Sequence, residues 1–171
     1  MFVMRKIIFL LILTCLIGCE KKNEKHDKLF DPEKLGNLEL AKINGFWNEG
    51  SINETSVGNA LFTLHPGFLG GIELFDEDHT IVISVFTTRD TAIIAMKSRI
   101  ANIATPIHEG TSDEIEGTWW LLNDSWNSAV FVNQWNTIIE VLISDPSNEG
   151  VESILYTTAN ELAKRVDQQS E

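Results

Sequence analysis

Cysteine is almost missing from this chain of 171 residues: there are two, Cys15 and Cys19, and none after position 19. Everything beyond that point therefore lacks the means for a disulfide, a thiolate metal site or a cysteine nucleophile, and its stability must come from a packed core. Basic residues are scarce too. The chain has 13 Lys and Arg against 25 Asp and Glu, and between Ile43 and Asn160 the only cations are Arg89, Lys97 and Arg99. A surface so acidic repels phosphate backbones, which argues against a nucleic-acid partner. No Gly-x-Ser-x-Gly elbow occurs, and Ser84 stands among apolar residues in mid-strand. Gly70-Gly71 lacks the lysine and the helix of a phosphate loop. Long apolar runs are absent but for one of eleven residues, Ile7 to Ile17, where an isolated membrane span needs about 20.

That run follows Arg5-Lys6 and ends at Gly18-Cys19, the layout of a secretory signal peptide. Leu16-Ile17-Gly18-Cys19 resembles the bacterial lipobox. The resemblance implies cleavage between Gly18 and Cys19 and a covalent lipid on the Cys19 sulfur, with no other cofactor expected. Two or three acyl chains, at about 0.8 kcal/mol per buried methylene, make a stable anchor where one chain is marginal. Cys15 leaves with the signal. Glu20, where Asp would favour inner-membrane retention, implies an outer-membrane position facing the periplasm in an organism with two membranes. The expected partners are thus the membrane, through the anchor, and a protein of the cell envelope.

The reading divides the chain into a signal peptide over 1–18, a lipidated and charged tether over 19–36, one globular domain over 37–168 and a tail over 169–171. From Glu20 to about Lys34 the composition is too polar to offset its ordering entropy. Asp31-Pro32 has the form of a helix start. Strands are expected at Ala60–His65, Gly71–Phe75 and Thr80–Phe86, the last apolar on both faces and so central. Thr87 to Asp90 fits a capping box, opening a helix with Ile93, Met96, Ile100 and Ile103 on one stripe. An acidic loop, Glu109–Glu116, precedes strands at Thr118–Leu122, Ala129–Gln134 and Thr137–Ile143, with Trp135-Asn136 as a hairpin turn. A last helix places Val151, Ile154, Leu155, Thr158, Leu162 and Val166 inward, with Lys164-Arg165 toward its C-terminus. The result is an α+β fold: an antiparallel sheet in β-β-β-α-β-β-β-α order with helices packed on it. That order, over roughly Ala60 to Val166 with a strand–Pro–helix finish at Val141 to Ser153, resembles the fold of the photosystem II extrinsic lumenal proteins and related envelope lipoproteins. The resemblance implies a non-enzymatic binding or assembly module.

Two groups of residues are candidates for chemistry. Asp76, Asp78 and His79 offer hard oxygen and imidazole ligands, although the segment lacks the glycine and glutamate of an EF-hand loop and reads first as a solvated turn, so that no metal is expected. Of the other histidines, His26 lies in the tether and His65 beside a turn proline. Trp126, set among Asn123, Asp124 and Asn127, is a candidate binding platform, with Trp119 on the adjoining strand as its companion. Trp47 and Trp135 read as core. No catalytic residues are identified. The leading reading is a non-catalytic, membrane-anchored envelope module that binds a protein or assists an assembly. Alternatives are a module for cell-wall glycan or another small molecule, a lipoprotein that protects against a toxin, and a hydrolase with dispersed carboxylates.

Overall fold

The computed structural model describes residues 28–48, 50–56, 65–101, 107–112, 115–123, 127–144 and 150–171. The expected signal peptide, lipobox and most of the tether lie outside the described residues. Two short 3-10 segments, Pro32–Leu38 and Leu40–Lys42, lead into strands β1 (Asn53–Ser56), β2 (Phe68–Phe75) and β3 (His79–Phe86). Helix α1 (Arg89–Ala101) follows, then β4 (Ile107–Ser112), β5 (Ile115–Asn123), β6 (Asn127–Gln134), β7 (Thr137–Ser144) and helix α2 (Val151–Gln169). The strands form one sheet in the order β1-β2-β3-β7-β6-β5-β4, with every neighbouring pair antiparallel. This is the expected α+β class.

Among the described residues three strands precede α1 and four follow it, and two of these, β1 and β4, are not expected from the sequence pattern. β4 lies inside what reads as an acidic loop: Glu109 pairs with Trp120 and Ile107 with Leu122. Both sheet edges are polar. β1 is Asn-Glu-Thr-Ser and fully exposed, so neither edge strand carries the apolar alternation that marks a half-buried one. The expected strand at Ala60–His65 falls outside the described residues save for His65, which lies in the bend before the Pro66-Gly67 turn.

β3 and β7 lie side by side in the middle of the sheet, and β-branched residues fill both. On one face Ile81, Ile83, Val85, Val130, Val132, Ile139, Val141 and Ile143 pack with Leu155, Leu162 and Val166 of α2 and with Leu38, Leu40 and Phe46. On the other face Phe86, Ala129, Phe131 and Ile138 meet Ala92, Ala95 and Met96 of α1. The buried stripe of α1 is thus mostly alanine. Ile93 is only half-buried and Ile94 is exposed, because small side chains let the helix approach the sheet closely. Ile154, expected inside, is 38% exposed: α2 buries 151, 155, 158, 159, 162, 163 and 166, and that arc passes it by. Among the described residues no helix is long and apolar enough to cross a membrane.

Local chemistry sets the ends of these elements. The capping box of α1 is Thr88 with Thr91: the Thr91 amide donates to Thr88 Oγ1 at 3.2 Å and the Thr88 amide to Thr91 Oγ1 at 3.1 Å. Asp31 caps the first 3-10 segment by accepting from the Glu33 amide at 2.9 Å. Arg165 has another partner than its helix terminus: its Nη1 donates to the carbonyls of Leu38 and Glu39 at 2.6 and 3.1 Å, tying α2 to the 3-10 segments.

The domain starts earlier than position 37. Phe30 is buried at 1% exposure, and Leu29 exchanges backbone hydrogen bonds of 2.8 and 3.1 Å with Glu171. The expected tether end and the expected tail therefore hold each other. Burying one large apolar side chain, at about 1.5–3 kcal/mol, suffices to recruit an otherwise polar arm.

Candidate functional site

Strand register assembles the most unusual chemistry of the molecule beneath α1. Across the sheet, Thr55 pairs with Glu73, Glu73 with Val82, Val82 with Glu140 and Glu140 with Phe131. Directly opposed residues share a face, so two carboxylates flank Val82 on the α1 side. Ser84 lies two residues along β3 on the same face. From α1, Arg99 reaches down, and its Nη2 donates to Glu140 Oε1 at 3.3 Å.

Glu140 is nearly sealed, its side chain 6% exposed against 31% for Arg99. Burial raises its pKa above the ordinary glutamate value of 4.5, and the Glu73 charge adds to this, while Arg99 acts against both. Three buried polar atoms of this cluster have no hydrogen-bond partner among the described residues: Glu140 Oε2, Ser84 Oγ and Arg99 Nε. A folded protein rarely leaves such atoms unpaired, and each costs about 1–3 kcal/mol. The cluster is a buried carboxylate paired with one arginine and clamped between sheet and helix. It does not present paired acids to a bulky substrate, since the free oxygen of Glu140 is closed to solvent.

The sequence reading missed this centre. Its signal was a single charge, Glu140, inside the otherwise apolar run from Ile138 to Ile143, and Ser84 in a similar run.

The two groups chosen from sequence lie elsewhere. Asp76, Asp78 and His79 form the β2–β3 turn, where the Asp76 carboxylate already has its partners. Its Oδ1 accepts from the amides of Asp78 and His79 at 2.9 and 2.7 Å, with His79 Nδ1 at 3.1 Å, and its Oδ2 accepts from the Asn48 amide at 3.0 Å. Burial works to raise the Asp76 pKa, but these donors outweigh it and hold the carboxyl below its usual range. Asp78 accepts from Asn48 Nδ2 at 2.9 Å, and the His79 ring packs edge-on to Phe46. The triad is a turn organiser. Among the described residues no group of three or more His, Cys, Asp and Glu is placed to hold a metal.

Trp126 and Asp124 lie outside the described residues, as do the side chains of Trp119, Asn123 and Asn127. The backbone puts Asn123 opposite Ser128 and Asn127 opposite Ser144, while Trp119 pairs with Val132. His79 pairs with Ile143, next to Ser144, so the β5–β6 hairpin and the β2–β3 turn occupy the same end of the sheet.

At the opposite end, Trp135 opens the β6–β7 turn with a φ of 53°, a left-handed conformation costly for a bulky residue. It is held there: Nε1 donates to Asp167 Oδ1 at 2.7 Å, and Lys28 and Arg89 each approach its ring at 5.8 Å. Beside it, Asn136 ties three segments together. Its Oδ1 accepts from the Phe30 amide at 2.7 Å, and its Nδ2 donates to the carbonyls of Phe30 and Phe86 at 3.1 and 2.6 Å.

The fold is shared with a solved structure. The chain resembles the extracellular domain of PknH from Mycobacterium tuberculosis. The two superpose with a TM-score of 0.55 over 83% of this chain and 99% of that one, at 11% sequence identity. At that identity the likeness is one of fold. No family model and no curated protein matches the chain.

Proposed function

We propose that the chain is a lipid-anchored protein of the bacterial cell envelope whose α+β domain is a non-catalytic module that binds a protein partner or serves an assembly. The observation that carries this reading is the docking of the N-terminal arm. Lys28, Leu29 and Phe30 are bonded into the domain, and Cys19 of the lipobox lies nine residues before Lys28. A short polar tether between an anchor and a folded unit is the build of a module held at a membrane. The fold likeness to an extracellular domain supports a place outside the cytoplasm, and Glu20 supports the outer membrane where one exists.

The test is palmitate labelling and fractionation of tagged protein in intact cells, followed by mild crosslinking. Wild type is expected to carry the label, to sediment with membranes and to capture one abundant envelope protein. Cys19→Ser is expected to lose label, location and capture together. A labelled and anchored protein that captures no protein, yet binds isolated cell-wall glycan, would replace the assembly role with glycan binding. Absence of label on wild type would remove the anchor from the proposal.

A further inference from the structure

The described arm, beginning at Lys28, joins the domain at one end of the sheet. Phe30 is buried and both its backbone polar groups bond to Asn136. Leu29 is paired with Glu171. Lys28 Nζ bonds Asp167 Oδ1 at 3.1 Å. Around this exit lie the start of β2, the end of β3, the β6–β7 turn and the C-terminus of α2. The Thr87 amide bonds the Gly67 carbonyl at 2.7 Å, and the Phe86 amide bonds the Asn136 carbonyl at 2.8 Å. The β2–β3 turn, with Asp76, Glu77 and Asp78, is at the other end of the strands.

Nine residues reach about 30 Å only when fully extended. The strand from Leu69 to the turn at Glu77 is itself about 25 Å long. Turning the far end to the bilayer would require the linking chain to run almost fully extended along the domain, whereas presenting the exit end requires no such extension. The exit end also carries apolar surface: Leu29 is 48% and Leu69 50% exposed, two of the four large exposed hydrophobic residues among those described. The arm and the β2 strand meet here, since Pro32 Cβ lies 3.8 Å from where a side chain on Gly70 would begin. Lys28 and Lys34 pair with Asp167 and Glu171, which offsets acidic charge at this end. Anionic headgroups repel the three acids of the opposite turn.

We propose that the end of the domain bearing Leu29 and Leu69 is its bilayer-facing surface, with both leucines at the lipid interface, and that the β2–β3 turn points away from the membrane. The inference rests on the lipid-anchor reading and adds an orientation to it.

The experiment uses the full lipidated chain on phosphatidylethanolamine–phosphatidylglycerol vesicles containing a lipid with a nitroxide on its headgroup. Two variants, Leu69→Cys and Glu77→Cys, each carry one fluorophore on the introduced thiol, which is the sole thiol once Cys15 is removed and Cys19 is lipidated. Both positions are exposed, so circular dichroism should match wild type. The expected result is quenching severalfold stronger at position 69 than at 77. Equal quenching, or stronger quenching at 77, in protein that floats with the vesicles overturns the orientation and leaves the anchor intact. Protein that fails to float overturns the anchor reading and the orientation with it.

Discussion

The side chain of Asn136 holds Phe30 as a neighbouring strand would, accepting from its amide at 2.7 Å and donating to its carbonyl at 3.1 Å. Asn136→Ala removes both bonds and the one to Phe86, leaving buried backbone groups unpaired at about 1–3 kcal/mol each. The expected outcome is a marked loss of stability in urea denaturation, together with early proteolytic cleavage near Leu29. Intact resistance at the arm would show that Phe30 burial alone holds it.

Glu140 should make stability depend on pH in an unusual sense. Its pKa is raised in the folded state, so the folded chain binds a proton that the unfolded chain has released. The resulting contribution is fully present below the ordinary glutamate value of 4.5 and is lost as pH rises through the higher folded value. Glu140→Gln should flatten this slope and be at least as stable as wild type at neutral pH. Arg99→Ala should steepen it, with a loss of about 2 kcal/mol or more at neutral pH and little loss at pH near 4.5. Denaturation curves across that range decide the matter. A slope unchanged in Glu140→Gln would assign the dependence to another group.

Asp76 titrates in the opposite sense. Its folded pKa is lowered, so its contribution is present above the ordinary aspartate value of 3.8 and is lost as pH falls through the folded value. Asp76→Asn should cost about 1–3 kcal/mol at neutral pH. Hydrogen exchange should quicken at the amides of Asn48, Asp78 and His79, the three that Asp76 holds. If those amides stay protected, the turn does not depend on the carboxylate.

Gly67 is required by both its backbone and its surroundings. Its φ is +85°, and an added Cβ would sit 2.5 Å from Thr87 Oγ1. Gly67→Ala should lower the melting temperature, with a cost of about 1–3 kcal/mol. The double variant with Thr87→Ala should recover the steric part and retain the conformational part.

Much of this architecture is legible in the chain. β3, β6 and β7 follow from β-branched runs bounded by turn residues, and Trp135-Asn136 is the turn expected between the last two. α1 has a capping box one residue later than expected, Thr88 with Thr91 in place of Thr87 with Asp90, and α2 follows its apolar period except at Ile154. The edge strands β1 and β4 escaped because sheet edges are solvated, and solvated strands carry no hydrophobic alternation. Arm packing escaped because a single phenylalanine in a polar stretch is a weak signal until the groove that receives it is known.

Periodicity and turn chemistry are properties of neighbouring residues, and they settled the class, the central strands and both helices without reference to the rest of the chain. The resemblance to a lipobox is likewise local, four residues in a row. The Glu140 centre is not local: Glu73, Ser84, Arg99 and Glu140 come from four elements, and only strand register and the approach of α1 bring them together. The same holds at Asn136, whose partners Phe86 and Phe30 are 50 and 106 positions away. A residue type reveals what a side chain can do. Which groups surround it, and how far they exclude water, was decided by tertiary packing, and that exclusion raises the pKa of Glu140 above that of an ordinary glutamate.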